Sequence, residues 1–350
     1  KKFKTCKSHI FLKSKFILTY LYKITYKFFR MNYNSLMQRC IDLGNSALGF
    51  TYPNPNVGAL IFKNGKIIGE GFTGSHGKNH AEINAIESVN HKDDLENSTL
   101  FVTLEPCSHY GKTPPCTKKI IENKIKTVVI GCEDPNILVN GSGIEMLKNN
   151  NLDVKVGVLE KKCFESLKRF MTFQKKDRPY IILKWAESLD GIISPNNKND
   201  NRPVWISNEI SRQLVHKWRS QEHAILVGSK TIDSDNPLLD TRNWNKNNPI
   251  KVIIGNPKKK DKNAKYIFDD CDLEIKTITK YLYEKNIQSV LIEGGKKTLD
   301  TFINNGIWDE ARIFKSQNKM YEGISAPKII GLKLSEKKIK KDTLSIIKNC

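Results

Sequence analysis

Residues 80–82 read His-Ala-Glu, and residues 103–116 read Thr-Leu-Glu-Pro-Cys-Ser-His-Tyr-Gly-Lys-Thr-Pro-Pro-Cys. His80, Cys107 and Cys116 offer one imidazole and two thiolates, which are three ligands for a tetrahedral zinc ion whose fourth position is left to water. Both cysteines are predicted to lie where a strand or loop meets the start of a helix, a place that favours thiolate over thiol. The pattern therefore predicts a catalytic zinc site in the first half of the chain.

Glu82 has a different predicted role from its neighbours. It lies two residues after His80 at the start of a predicted helix, where two such side chains point about 200° apart. Glu82 is therefore expected to reach the metal-bound water rather than the metal, and to carry a proton from that water to the reacting group. The alternative is a structural zinc site, in which His109 supplies a fourth ligand and Glu82 is an ordinary helix residue.

The segments around these residues alternate between strand and helix. Two strands at 57–62 and 66–72 are predicted to form a hairpin, because Asn64-Gly65 between them is typical of a tight turn. The other predicted elements are helices at 35–48, 80–89, 116–123 and 144–149 and strands at 99–104, 127–131 and 154–158. This order favours an α/β fold in which helices cover a sheet on both sides.

The zinc motif resembles that of the cytidine and deoxycytidylate deaminase superfamily. Members of that superfamily usually carry Cys-x-x-Cys, whereas eight residues separate Cys107 from Cys116. The longer spacing, together with Pro-Asn-Pro-Asn-Val-Gly at 53–58, resembles the bifunctional deaminase/reductase family of riboflavin biosynthesis. The resemblance covers about residues 31–330. It implies a cytidine-deaminase-like α/β/α domain followed by a dihydrofolate-reductase-like α/β domain.

The resemblance also implies a role for each residue of the deaminase site. The zinc ion would be held by His80, Cys107 and Cys116, with Glu82 as the catalytic proton shuttle. Substrate would be bound by Asn54, which hydrogen-bonds the pyrimidine, and by Lys112, which lies near the substrate phosphate.

One position departs from the family pattern. Thr73 stands where the family commonly carries His, shortly after the run Gly-Glu-Gly-aromatic. Either His76 takes over the contact of that residue with substrate, or the contact is absent.

A second α/β unit is predicted from residue 180 onwards. The polar sequence Lys-Lys-Asp-Arg-Pro at 175–179 separates it from a predicted helix at 160–173. Strands are predicted at 180–185, 224–227, 250–254 and 289–292, and helices at 208–218 and 297–304. The predicted organisation is a basic leader outside the fold at 1–30, a zinc deaminase domain at 31–160, a linker helix at 161–178 and a reductase domain at 179–350.

Gly294-Gly295 is the best phosphate-binding candidate of the second unit. A predicted buried strand ends just before these glycines, and a helix begins just after them. Backbone N–H groups at such a helix start suit a pyrophosphate, although an ordinary strand-to-helix turn has the same pattern. The surrounding sequence favours binding, because Leu-Lys-Trp-Ala-Glu-Ser-Leu-Asp-Gly at 183–191 resembles the opening strand and turn of the family's NADPH-dependent reductase domain.

The individual contacts of the reductase domain follow from that resemblance alone. The residues implied to face NADPH are Ala186, Trp205, Thr231, Asp235, Asn256, Gly295, Lys296, Lys297 and Thr298. Those implied to face the ribose phosphate of the substrate are Pro203, Arg219, Leu239, Arg242 and Glu293. Arginine suits this role because its planar guanidinium can bind a phosphate through two hydrogen bonds.

Two consecutive reactions are implied by the family. The first domain would hydrolytically remove the 2-amino group of 2,5-diamino-6-(5-phosphoribosylamino)pyrimidin-4-one, and the second would reduce the ribosyl side chain to ribityl with NADPH. A rival hypothesis is a tRNA adenosine deaminase with an appended binding domain. The cysteine spacing and the lack of RNA-binding motifs argue against it. In a third hypothesis one domain is an inactive scaffold, which the intact zinc motif disfavours for the deaminase.

Composition bears on the partners. The chain has 58 Lys and Arg and 37 Asp and Glu, which gives a net charge of +21. Residues 1–30 contribute nine positive charges and no acidic residue. We expect that leader to be non-native, with a targeting segment or a membrane-surface helix as alternatives. Substrate and NADPH are both polyanions, so we expect no nucleic-acid or membrane partner and predict a cytoplasmic homo-oligomer. Eight cysteines spread over 350 residues indicate reduced thiols rather than a disulfide framework.

Overall fold

The computed structural model describes residues 32–111, 114–136, 140–196, 204–244, 247–267 and 274–350. Its strands form one sheet of five strands in the first half of the chain, one of eight in the second half, and a separate two-stranded sheet. The predictions for residues 1–30, Lys112 and Pro203 lie outside the described residues. Every helix in the described ranges is too short or too polar to cross a membrane.

The five-stranded sheet has the strand order β2-β1-β3-β4-β5. Its strands are β1 (Gly58–Lys63), β2 (Lys66–Phe72), β3 (Thr99–Leu104), β4 (Thr127–Cys132) and β5 (Asp153–Val156). β1 runs antiparallel to β2 and β3, whereas β3, β4 and β5 are parallel. The predicted hairpin turn is present, with positive φ at both Asn64 (49°) and Gly65 (79°), as a type I′ turn requires.

Helices cover this sheet on both faces, which explains why every residue of β3 is buried. The helices are α1 (Tyr33–Ser46), α2 (Ala81–Glu87), α3 (Cys116–Glu122), α4 (Ser142–Asn149) and α5 (Glu160–Ser166), with a short 3-10 helix at Lys92–Leu95. α1 packs with α5, while α2, α3 and α4 pack in series. The predicted α/β/α arrangement is confirmed.

The predicted continuous helix at 160–173 is wrong. The segment forms two helices, α5 and α6 (Lys168–Lys176), with a break at Leu167. Leu167 leaves the helical region (φ −97°, ψ 9°), and its side chain is fully buried. Because of the break, α5 packs against β4 of the first sheet while α6 packs against the second sheet.

The eight-stranded sheet has the strand order β10-β9-β8-β11-β6-β12-β15-β14. The strands of the second half, including β7 and β13 of the small sheet, are β6 (Tyr180–Glu187), β7 (Ile192–Ser194), β8 (Ala224–Gly228), β9 (Ile250–Ile254), β10 (Lys265–Ile267), β11 (Ser289–Ile292), β12 (Glu310–Lys315), β13 (Ile324–Ser325), β14 (Leu332–Ile339) and β15 (Asp342–Lys348). The six strands from β10 to β12 in this order are parallel, and β15 and β14 add an antiparallel hairpin.

Both faces of this sheet are also buried. Successive residues of β6 contribute to two different core clusters, with Ile181 and Leu183 in one and Tyr180 and Ile182 in the other, as expected for a strand covered on both sides. The helices of this half are α7 (Glu209–Gln221), α8 (Ser229–Asp235), α9 (Ile275–Glu284) and α10 (Lys296–Asn304).

A buried ion pair joins α6 to Glu222, which lies between the helix Glu209–Gln221 and strand β8. Arg169 on α6 donates two hydrogen bonds to the carboxylate of Glu222, at 2.7 and 2.5 Å, and both side chains are buried. Burial alone would raise the pKa of Glu222, but the charge of Arg169 outweighs it and holds that pKa below its usual value. Removing one partner of such a pair leaves an uncompensated charge in the interior.

We therefore expect Arg169→Met to lower the free energy of unfolding by about 3–5 kcal/mol, because Glu222 would lose both hydrogen bonds to its partner and keep only the more distant Arg312, at 3.9 Å. The matched change Arg39→Met removes an ion pair with Glu70 that is largely exposed, and should cost only about 0–1 kcal/mol. Urea unfolding followed by circular dichroism measures both changes. Equal losses in the two variants would contradict the importance of the buried pair.

Candidate active sites

Three elements of the first half bring the predicted zinc ligands together. His80 is the N-cap residue of α2, Cys116 is the first residue of α3, and Cys107 lies in the loop after β3. His80 Nδ1 lies 3.6 Å from Cys107 Sγ and 3.4 Å from Cys116 Sγ. The ligand atoms of all three residues lie within 4.8 Å of one another.

These distances fit a single zinc ion. Tetrahedral coordination at the usual Zn–N and Zn–S lengths separates nitrogen from sulfur by about 3.6 Å. Among the described residues, no fourth His, Cys, Asp or Glu joins this cluster, and His109 is exposed. The three residues therefore provide the ligand number of a catalytic site, which keeps one position for water.

The two thiols are electrostatically unequal. The sulfur of Cys107 accepts hydrogen bonds from the Cys116 thiol and, at 3.3 Å, from the Cys116 backbone N–H, with His80 also close. These interactions lower the pKa of Cys107 to about 4. The hydrogen bond that Cys116 donates to Cys107, together with burial, raises the pKa of Cys116. The groups that face Cys107 thus favour its thiolate, the form that binds zinc.

Glu82 lies beside this cluster on the first turn of α2. It is only 4% exposed, it interacts with Cys116, and burial raises its pKa to about 7. A close approach of β2 to α2 fixes its position: a Cβ atom on Gly71 would lie 2.3 Å from the Ala85 backbone nitrogen. Only glycine allows the helix that carries Glu82 to pack this closely on the sheet.

Glu105, which the sequence analysis did not single out, holds the loop beside the cluster. Its buried carboxylate accepts hydrogen bonds from four backbone N–H groups: Asp134, Gly141, Gly143 and Ile144. Glu105 therefore ties the segment that leads to Cys107 to the loop before α4 and to the first turn of that helix. The acidic residue two positions before a predicted ligand was the signal that could have found it.

Asn54 and Thr73 lie at the start of the hairpin. Asn54 is half-buried in the turn before β1, where its backbone N–H donates to Thr51 O at 2.9 Å. Thr73 is buried, and its hydroxyl accepts a hydrogen bond from the Val57 backbone N–H at 3.2 Å. Thr73 thus anchors the chain that follows Asn54, while His76 is exposed in the loop between β2 and α2.

The second half of the chain contains a cavity of about 750 Å³. The predicted cofactor and substrate residues that line it are Ala186, Trp205, Arg219, Thr231, Asp235, Arg242, Glu293, Gly295, Lys296, Lys297 and Thr298. Asn256 and Leu239 do not line it: Asn256 is exposed after β9, and Leu239 is buried. The cavity also includes Lys184, Ser229, Ile278 and Phe302, which the sequence analysis did not assign.

The predicted glycine turn forms one wall of this cavity. β11 ends at Ile292, Gly294 has a φ of 127°, and Gly295 is the N-cap residue of α10. Glycine is favoured at such a φ, which other residues rarely adopt. The turn therefore presents the first backbone N–H groups of a nine-residue helix to the cavity, as a pyrophosphate site requires.

Three charged residues form a compact group in the cavity wall. Arg219 donates two hydrogen bonds to Glu293, at 2.7 and 2.8 Å, and Lys184 Nζ lies 3.7 Å from the same carboxylate. Burial alone would raise the pKa of Glu293, but the two cations hold it at about 2. The side of Arg219 that would bind a phosphate through two hydrogen bonds is thus already occupied by Glu293. Arg242 is more exposed and pairs with Asp240.

These two sites define the class of the protein. Three zinc ligands beside a buried glutamate, in an α/β/α sandwich, suit hydrolytic deamination, and the glycine turn with its large charged cavity suits a dinucleotide-dependent reductase. The chain is therefore a zinc-dependent deaminase fused to a reductase.

Comparison with known proteins identifies the family. Residues 31–132 match the cytidine and deoxycytidylate deaminase zinc-binding region, and residues 179–331 match the RibD C-terminal domain. Riboflavin biosynthesis protein RibD of Aquifex aeolicus is 35% identical over 318 residues, which cover 83% of this chain and 88% of that protein. The chain belongs to the RibD family and is a bifunctional deaminase/reductase of riboflavin biosynthesis.

Solved structures agree with this result over both halves. A diaminohydroxyphosphoribosylaminopyrimidine deaminase/5-amino-6-(5-phosphoribosylamino)uracil reductase of Thermotoga maritima superposes with a TM-score of 0.83 at 35% identity, covering 91% of this chain and 99% of that one. RibD of Acinetobacter baumannii gives a TM-score of 0.80 at 26% identity, with the same coverage. The predicted family, fold class, activities, and zinc and NADPH as cofactors are confirmed.

We expect Glu82→Gln to abolish deamination while one equivalent of zinc stays bound, because the amide keeps the shape of the side chain but cannot accept and return a proton. Ammonia release measures the activity, and a chromogenic chelator measures the metal. Glu122→Gln, at the exposed end of α3, is the control and should change neither. Loss of zinc together with activity would show that Glu82 supports the metal site instead.

Proposed function

We propose that the first half of the chain hydrolytically removes the 2-amino group of 2,5-diamino-6-(5-phosphoribosylamino)pyrimidin-4-one. His80, Cys107 and Cys116 would hold the zinc ion. The observation that carries this proposal is the His80–Cys107 and His80–Cys116 distances of 3.6 and 3.4 Å, which match one tetrahedral centre. When bound, zinc supplies the Lewis acid that allows water to react at neutral pH.

Glu82 performs the proton transfers of this reaction. It takes the first proton from the attacking water and delivers it to the ring nitrogen, and then takes the second from the hydroxyl now bonded to C2 and delivers it to the amino group, which leaves as ammonia. Its burial keeps these transfers away from bulk water. Asn54 hydrogen-bonds the pyrimidine, and Lys112 binds near the phosphate.

The second half then reduces the ribosyl side chain to ribityl. NADPH supplies the hydride, and the surrounding residues bind and orient both reactants. The N–H groups at Gly295–Thr298 bind the pyrophosphate of the cofactor, and Arg242 binds the substrate phosphate. The group of Lys184, Arg219 and Glu293 forms a fixed wall against which the ribosyl chain is oriented.

The proposed domains are those expected from the sequence. The deaminase domain spans 31–160, a linker spans 161–178, and the reductase domain spans 179–350. The two family matches, at 31–132 and 179–331, support the proposal because they leave the linker unassigned between them. The break at Leu167 lies inside this linker.

The substrate of RibD enzymes is a small phosphorylated pyrimidine, and we propose that this chain acts on it as a homo-oligomer. β14 is the last strand of the eight-stranded sheet and pairs with β15 alone. Leu332 and Leu334 on this edge are 59% and 51% exposed. An exposed edge strand with apolar side chains favours pairing with another strand. A cytoplasmic location, and the absence of nucleic-acid and membrane partners, remain predictions from the sequence.

Incubation of the full chain with the diaminopyrimidine phosphate and NADPH, followed by mass spectrometry, tests both reactions. We expect the substrate to gain about 1 Da when NH is replaced by O and then about 2 Da when hydride and a proton are added. Without NADPH only the first gain should appear. NADPH should be preferred over NADH; equal rates with both would contradict a site for the 2′-phosphate.

Light scattering tests the oligomer. We expect the parent chain to have a multiple of its 40.1 kDa mass, and Leu334→Lys to reduce it to that mass by placing a charge at the paired edge. Val156→Lys is the matched control, since it changes an exposed apolar residue on β5, an edge strand of the other sheet. A parent chain that is already monomeric would contradict the proposal.

A further inference from the structure

The turn that carries Asn54 lies against the reductase half of the chain. Gly49, five residues before Asn54, has a φ of 96°, and a Cβ atom on it would lie 1.9 Å from the backbone oxygen of Ser220, near the end of α7. The Gly49 carbonyl also accepts a hydrogen bond from the side chain of Asn247. The deaminase backbone therefore touches the reductase backbone directly at this point.

Tyr52 makes the most specific contacts of the turn. Its hydroxyl donates to the carbonyl of Gln221 at 3.1 Å and shares a second hydrogen bond, 2.9 Å long, with Ser289 Oγ. Its ring stacks on the ring of His223, with 4.5 Å between centroids and 6° between planes. All three partners belong to the second half of the chain. Burial lowers the pKa of His223 to about 4, so the stacked imidazole is neutral at neutral pH.

Pro53 extends this contact to the residue next to Asn54. Its carbonyl accepts a hydrogen bond from the side-chain amide of Gln288, the residue before β11. On the other side of Asn54 the anchors belong to the deaminase half: the Asn56 side chain donates to Gly44 O at 3.4 Å, and Thr73 accepts from Val57. The turn that carries Asn54 is thus held by the reductase half on one side of this residue and by the deaminase half on the other.

We infer that Tyr52 and His223 are positioning residues for deamination: the reductase half fixes the turn from which Asn54 binds the pyrimidine. The inference rests on the role of Asn54 in the proposed function. Stacking of two neutral rings and hydrogen bonds to backbone both restrict direction as well as distance. Loss of these contacts allows the turn to move, but it removes no group that touches the substrate. The effect therefore falls on substrate binding rather than on the chemical step.

The decisive variant is His223→Ala in the full chain, because it changes the reductase half and is read out in the deaminase. We expect the deaminase KM to rise about five- to tenfold with kcat within about twofold, the size expected from one lost stacking contact and a loosened hydrogen bond. Zinc content, and the kinetics of reduction measured with the deaminated substrate, should not change. His223→Phe keeps the stacked ring but loses the Nδ1 that accepts the Gln288 backbone N–H at 3.3 Å, so it should restore the KM in part.

Tyr52→Phe is a second variant, which keeps the stacked ring and removes only the hydroxyl. The deaminase KM should rise about threefold, since a neutral hydrogen bond is lost. Tyr33→Phe is its control: that hydroxyl accepts from Lys155 Nζ at 3.1 Å within the deaminase half, and its loss should leave the KM unchanged. The two tyrosine variants are thus matched in chemistry and differ in whether the contact crosses to the reductase.

Two results would overturn the inference. A deaminase KM within twofold of the parent in both His223→Ala and Tyr52→Phe would show that the turn does not need its reductase support. A parallel fall in both activities, with KM unchanged, would show that these residues only stabilise the fold. Asn54→Ala separates this failure from that of the proposed function: an unchanged KM in that variant would remove the binding role of Asn54 itself.

Discussion

The proposed zinc site sets the tightest constraint in this protein, because nitrogen and sulfur ligands of one zinc ion must lie about 3.6 Å apart. The chain satisfies this constraint because each ligand is carried by backbone that is packed against neighbouring elements. His80 and Cys116 occupy the starts of two helices, and Cys107 follows a strand that is buried throughout. The close packing at Gly71 and the four hydrogen bonds of Glu105 both fix elements of this arrangement. The packing of the deaminase half thus fixes the positions of three ligand atoms, one imidazole nitrogen and two sulfurs.

This constraint also explains what the sequence could predict. Metal ligands need particular residue types at restricted spacing, so His80, Cys107 and Cys116 were found from sequence and lie together in space. Strands β2, β3, β9 and β11 have the predicted bounds: β3, β9 and β11 are mostly apolar runs, and β2 is fixed by the hairpin turn that precedes it. The break at Leu167 falls at a fully buried side chain between two helices, where the sequence has no local breaking pattern. The reductase cavity joins residues as distant as Lys184 and Phe302, so no single motif covers it, and its lining could be predicted only in part.

Charges at the joint between the halves were the hardest feature to predict. The polar sequence at 175–179 has the composition of a solvated linker, yet Arg178 within it is largely buried and donates to Asp309 at 2.6 and 2.9 Å. The pair Arg169–Glu222 is buried as well. In both, the carboxylate lies more than fifty residues away in sequence. Only the folded chain shows that these cations hold the linker against the reductase half rather than face solvent.

The difference between buried and exposed ion pairs also distinguishes the roles of the cations in the reductase cavity. Arg219 is held by Glu293 through two hydrogen bonds in a largely buried setting, and breaking such a pair to bind a phosphate would be costly. Arg242 and Lys296 also have carboxylate partners, Asp240 and Asp300, but these pairs are considerably more exposed and of low net strength. A phosphate can replace the carboxylate there at little cost. The structure thus separates a cation that shapes the cavity from cations that can bind its anionic ligands.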